Sequence, residues 1–82
     1  MNDTPKQRYR TAECVVNVTQ CLEGTITDWP ANIQDGVYKA LEALCDMRRA
    51  SFAIVKSYSD VDADTGPYIY VLAVALKPDV MQ

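Results

Sequence analysis

An uninterrupted apolar run, Pro67 to Leu76 and closed by Lys77, constrains this chain more than any other stretch. Its length and its aromatic and β-branched content predict a β-strand with two apolar faces, and such a strand needs a cover on each. The rest of the chain offers one long amphipathic helix. One face of the sheet is then covered from within the chain, and the other is left for a partner.

Around this strand the sequence predicts a β-α-β-β order. Glu13 to about Thr19 alternates Cys14, Val16 and Val18 with Val15, Asn17 and Thr19, the period-2 pattern of a half-buried strand. Asp28-Trp29-Pro30 is a helix start, since Asp caps well and Pro is tolerated in the first turn. Gly36 favours a start late enough to place it in that first turn, because Gly costs about 1 kcal/mol relative to Ala in a helix interior. At 100° per residue Ile33, Val37, Ala40, Leu41, Leu44 and Met47 gather on one arc, flanked by Tyr38 and Cys45. Arg48 and Arg49 then fall in the last turn, where cations suit the helix dipole. Ser51 to Ser59 forms a second strand, and Asp60 to Gly66 joins it to the apolar third strand.

These elements predict a small α+β domain over residues 11–82, one helix packed on a three-stranded, mostly antiparallel sheet with the third strand central. Residues 1–10, with Lys6, Arg8 and Arg10 and no apolar periodicity, read as a flexible basic arm. With 82 residues in all, the chain is near the lower limit for a single unstapled core, so oligomerisation would help it.

Parity assigns the faces. The bulky sets Cys14, Val16, Val18, then Phe52, Ile54, Tyr58, then Tyr68, Tyr70, Leu72, Val74, Leu76 are expected against the helix. The alternate residues Val15, Asn17, Thr19, Ala53, Val55, Ser57, Ile69, Val71 and Ala73 are expected to form a flatter uncovered face. Several hundred Å² of mixed apolar surface is about the size at which a patch marks an interaction site. Two such faces stacked in a homodimer would supply the missing layer.

Charge and motifs narrow the function. A net charge of −3 argues against general affinity for nucleic acid, because Lys and Arg neutralising phosphate supply most of that binding. Arg8, Arg10, Arg48 and Arg49 are the cations available for electrostatic contacts, and Asp60, Asp62 and Asp64 the clustered acids. Those three Asp residues invite comparison with calcium loops. The match fails where position 6 is Thr65 and position 12 is Val71, so a hairpin with Asp-capped backbone and Gly66 at positive φ is the expectation. Cys14, Cys21 and Cys45 read as reduced thiols, two of them in or near the core. With no His and no C-x-x-C spacing, no metal, cofactor or catalytic site is expected. Nor does any apolar run reach the roughly 18 residues of a membrane span, and a cytoplasmic location is expected.

The expected function is that of a non-catalytic protein–protein interaction module, homodimeric and acting as an inhibitor or adaptor. Small acidic α/β chains without motifs are frequent among phage and mobile-element products that block host machinery, anti-CRISPR and other anti-defence proteins included. The alternatives are a small nucleic-acid-binding α+β module, a weak calcium-loop protein and an enzyme with a pocket shared between subunits. The nucleic-acid reading depends on register, since sheet-face readers of RNA display aromatics on the open face and parity turns Tyr58, Tyr68 and Tyr70 towards the helix.

Overall fold

The computed structural model describes residues 7–46, 48–77 and 79–80, with residues 7–8 and 79–80 through their backbone. Met47, expected on the apolar arc, and residues 1–6 of the expected arm lie outside the described residues. The elements are β1 (Gln7–Arg8), β2 (Thr11–Asn17), α1 (Ala31–Cys45), β3 (Phe52–Asp62), β4 (Gly66–Ala75) and β5 (Asp79–Val80), with single 3-10 turns at Ile26–Asp28 and Arg49–Ser51. β4 lies between β2 and β3, antiparallel to both, and β1 pairs with β5. The apolar run is therefore the central strand of a three-stranded antiparallel sheet, with one helix packed on it. Pairing begins inside the expected arm, because Gln7 and Arg8 meet Val80 and Asp79 and the Arg10 carbonyl accepts from the Ala75 N–H.

The helix takes its boundaries from local chemistry. Pro30 occupies the position just before α1, and its carbonyl accepts from the Ile33 and Gln34 N–H groups. Asp28 caps the preceding 3-10 turn instead of α1, accepting from the Thr25 N–H at 2.9 Å. At the other end Asp46 adopts the left-handed conformation, φ 53°, which stops the helix at Cys45. Arg48 and Arg49 consequently lie beyond α1 and not in its last turn. The cation that does meet the helix end is Arg10, whose Nη2 donates to the Cys45 carbonyl at 3.2 Å.

Gly36 sits in the interior of α1, not in its first turn. A Cβ added there would meet no atom within 4 Å. Gly36→Ala is therefore expected to raise the unfolding free energy by about 1 kcal/mol, read as a later midpoint in urea denaturation with an unchanged slope.

The core lies between the sheet and a layer made of α1 and the segment leading into it. Leu41, Val37, Ile69 and Val71 are its most buried large side chains, joined by Ala12, Cys14, Ile26, Trp29, Phe52 and Ala73. Ile33, Tyr38, Ala40 and Cys45 pack against this cluster from its rim. Leu44, expected on the apolar arc, is 78% exposed. The last turn presents Cys45 to the cluster in its place, while Tyr38 leans on Phe52 with ring centroids 5.8 Å apart.

The face assignment of β4 is opposite to the parity expectation. Ile69, Val71 and Ala73, expected on the open face, are buried beneath the helical layer. Tyr68, Tyr70, Leu72 and Val74 point to the other side. Size is a poor guide here: the covered face mixes Ala12, Cys14 and Ala73 with Ile69, Val71 and Phe52, and α1 comes nearest to β2, where Ala12 and Cys14 lie. The tyrosine hydroxyls, in turn, keep access to water and to polar partners.

Candidate functional site

The open face is laid out by the two antiparallel registers. One row across the sheet runs Lys56, Leu72, Glu13, the next Tyr58, Tyr70, Val15, and the next Asp60, Tyr68, Asn17. A further row, Ala53, Val74, Thr11, borders Leu72 on the other side. The face is thus an apolar and tyrosine-rich centre along β4 with one cation and two carboxylates on the flanking strands.

A β-bulge creates this arrangement on β3. The register shifts between Ile54 and Lys56, so that Ile54 stands opposite Ala73 and Lys56 opposite Leu72, with Val55 as the extra residue. Before the bulge Phe52 and Ile54 face the helical layer, as parity predicts. After it the pattern inverts: Tyr58 turns to the open face, and Ser57, expected there, turns to the covered one. The Ser57 hydroxyl accepts from the Ile26 N–H at 2.9 Å. The Ser59 hydroxyl accepts from the Leu22 N–H at 3.0 Å and donates to the Tyr68 carbonyl at 2.8 Å. These two serines fasten the segment after β2 to β3 where it has no ladder partners of its own.

The three tyrosines form one cluster. Tyr58 and Tyr70 are stacked, centroids 5.1 Å apart, and Tyr58 and Tyr68 meet edge to face at 6.5 Å. The Lys56 Nζ lies 5.8 Å from the Tyr58 ring centroid, within cation–π range. Tyr70 donates its hydroxyl to Glu13 Oε2 at 2.7 Å. That bond, then desolvation and the negative charge of Glu13, push the Tyr70 phenol above its ordinary value. Desolvation, then the neighbouring Tyr58, Asp60 and Asp62, do the same for Tyr68. Both therefore keep their O–H as a donor at neutral pH.

Of the residues expected on this face, Val15 and Asn17 are there, Val15 with 63% of its surface exposed. Ala53 is exposed on it, and Val55 is exposed in the bulge. Thr19 is exposed but lies beyond the end of β2. Ser57, Ile69, Val71 and Ala73 belong to the covered side. The residues that parity missed are Tyr58, Tyr68, Tyr70, Leu72, Val74 and Lys56. For the three tyrosines the signal in the sequence was the hydroxyl itself, a group that a helix-covered strand without buried polar partners does not accommodate.

The charged candidates do not converge. Arg49 pairs with Asp35 at 3.4 Å and lies 4.0 Å above the Tyr38 ring, on the helix side of the molecule. Arg48 is exposed nearby, Arg10 serves the helix end, and the side chain of Arg8 lies outside the described residues. In the hairpin, Asp62 Oδ1 accepts from the N–H groups of Asp64 and Thr65 at 2.8 and 3.1 Å, which holds its carboxyl below the usual carboxylate value. Gly66 closes the turn at φ 85°, a conformation other residues rarely adopt. Asp60 Oδ1 accepts from the Val61 N–H at 2.8 Å, and Asp64 is exposed at the tip. Asp62 thus serves the backbone of the turn and Asp60 that of its own strand. Among the described residues no three acidic, Cys or His side chains are grouped to hold a metal ion.

Cys14 is buried under α1, and burial, with the nearby Cys45, pushes its thiol up, away from the reactive thiolate. Cys21 is exposed. Among the described residues no helix is long and apolar enough to cross a membrane.

Comparison with protein-family models, with curated proteins and with solved structures finds no match to this chain.

Proposed function

We propose that this chain is a non-catalytic protein-binding module whose interface is the open face of its sheet. The observation that carries the reading is the Tyr58, Tyr68 and Tyr70 cluster beside Leu72 and Val15, a contiguous apolar and aromatic surface without a covering layer. Tyrosines suit a protein interface because they supply large contact area with few rotamers and a polar tip that bonds across the seam. The neighbouring Glu13 and Asp60 favour a partner with cationic groups at the rim. A module of this kind acts by occupying a surface, as an inhibitor or adaptor does, and needs no nucleophile, metal or cofactor.

A second reading is favoured by the same tyrosines, since an open sheet face with stacked aromatics is how single-stranded RNA is held in sheet-based readers. Charge weighs against it. Lys56 is the cation of the three central rows, and Glu13 and Asp60 would stand against a phosphate backbone.

Two measurements test the reading together. Immobilised wild-type chain is expected to retain a protein that Val15→Asp does not retain, with both chains giving the same circular dichroism spectrum. A fluorescent oligouridylate is expected to show no salt-dependent binding at micromolar protein. Capture unaffected by Val15→Asp would overturn the open face as the interface. Oligouridylate binding lost in Tyr58→Ala would replace it with the nucleic-acid reading.

A further inference from the structure

The row order of the open face makes it complementary to itself. Lys56 and Glu13 occupy the same row, on opposite sides of Leu72. A two-fold axis lying between two stacked copies and parallel to β4 exchanges the β2 side of one copy with the β3 side of the other, while keeping every row at its own level. Each Lys56 then stands over Glu13 of the second copy, and each Glu13 over its Lys56. Leu72 and Tyr70 meet their own counterparts, Tyr58 covers Val15, and Asp60 faces Asn17. No like charges are opposed in these rows.

The side-chain geometry fits that axis. Lys56 leans over the Tyr58 ring, and Glu13 is drawn to the Tyr70 hydroxyl, so both charged heads tilt to the same tyrosine row. An axis running across the strands at the level of Tyr70 would instead set Lys56 over Asp60. The Asp60 carboxylate is turned back to the Val61 N–H of its own strand. Aligned sheets stack about 10 Å apart, a gap that a Lys and a Glu reaching from opposite sides span.

We infer that the occupant of the open face is a second copy of this chain, packed sheet to sheet about a two-fold parallel to β4, with reciprocal Lys56–Glu13 pairs bordering a Tyr70 and Leu72 centre. This rests on the reading of the open face as a protein-binding surface and names its partner. The contact is isologous, each residue pair occurring twice, so a single substitution acts at two places in the dimer.

Light scattering on a size-exclusion column, over a range of protein concentrations with reductant, tests it. Wild type is expected to approach twice the 9.1 kDa mass of the chain as concentration rises. Lys56→Glu and Glu13→Lys each oppose like charges twice and are expected to weaken the dimer by roughly tenfold or more. The double variant, Lys56→Glu with Glu13→Lys, recreates the pairs with their signs exchanged and is expected to recover the wild-type mass profile. A wild type that stays monomeric, a dimer indifferent to both single variants, or rescue of Lys56→Glu by Asp60→Lys and not by Glu13→Lys would overturn the inference. If wild type is monomeric and Val15→Asp still abolishes capture of another protein, the second copy is rejected and the protein-binding face stands. If it is monomeric and Val15→Asp changes nothing, both are rejected.

Discussion

Leu41→Ala is expected to lower the unfolding free energy by about 2–5 kcal/mol, while Leu44→Ala, three residues further along the same helix, changes it by no more than about 0.5 kcal/mol. Leu41 has no exposed surface and sits in the cluster with Val37, Ile69, Val71 and Ala73. Truncation there removes apolar contacts and leaves a cavity that a β-sheet on one side and a helix on the other cannot close. Leu44 is already largely in water, so its side chain has little to lose. For a domain of this size the Leu41 change corresponds to a drop in Tm of about 10 °C or more, read by thermal circular dichroism at 222 nm. Equal effects of the two substitutions would mean that the helix is rotated from the orientation described.

Val71→Asp is expected to unfold the domain, and Val15→Asp to leave it folded. Both are valines on adjacent strands, and they differ in face and in central against edge position. Val71 is fully buried on the central strand, between Cys14 and Ser57 of the flanking strands. Among the described residues no buried cation is there to meet a carboxylate, which either stays charged in an apolar site or takes up a proton, a cost on the order of 3–5 kcal/mol. Val15 is exposed on an edge strand, where the cost is that of a less suitable strand residue, about 1 kcal/mol. The check is urea denaturation of the two variants beside wild type. A folded Val71→Asp with an unfolded Val15→Asp would reverse the two faces of the sheet.

That pair of variants also marks where sequence reasoning stopped. The central position of the apolar run was legible because a strand with two apolar faces and no polar side is suited to neighbours on both edges. Its facing was not. On β4 both parities are apolar, so alternation gives no polar side to point outward. The choice then fell on side-chain volume, which favoured Tyr68, Tyr70, Leu72 and Val74 for the core. The positions beneath the helical layer went instead to Ile69, Val71 and Ala73. On β3 the alternation was clear at Phe52 and Ile54 but was broken at Val55 by a bulge that leaves no mark in composition, which is why Ser57 and Tyr58 exchanged sides.

The hairpin was legible in its turn chemistry but not in its length, since β3 continues through Asp60 to Asp62 and β4 begins at Gly66. Asp62 holding two N–H groups and Gly66 at positive φ follow from the chemistry of short side-chain acceptors and of a residue without a Cβ, both local effects. The helix was legible in its existence and in the arc of Ile33, Val37, Ala40 and Leu41, and less so at its ends, where Leu44 is exposed. Arg10 reaching the Cys45 carbonyl is a contact between segments 35 residues apart, which no local pattern announces.

The sequence by itself determined the order of the helix and the three main strands, the antiparallel sheet with its long apolar strand in the centre, and the presence of one uncovered face, because periodicity, turn chemistry and the shortage of covering elements are written along the chain; the short β1–β5 pair was not among them. Only the tertiary structure decided which residues occupy that face. A bulge and a one-residue parity move whole sets of side chains from one side of a sheet to the other, and their outcome is settled by how the layers pack in three dimensions.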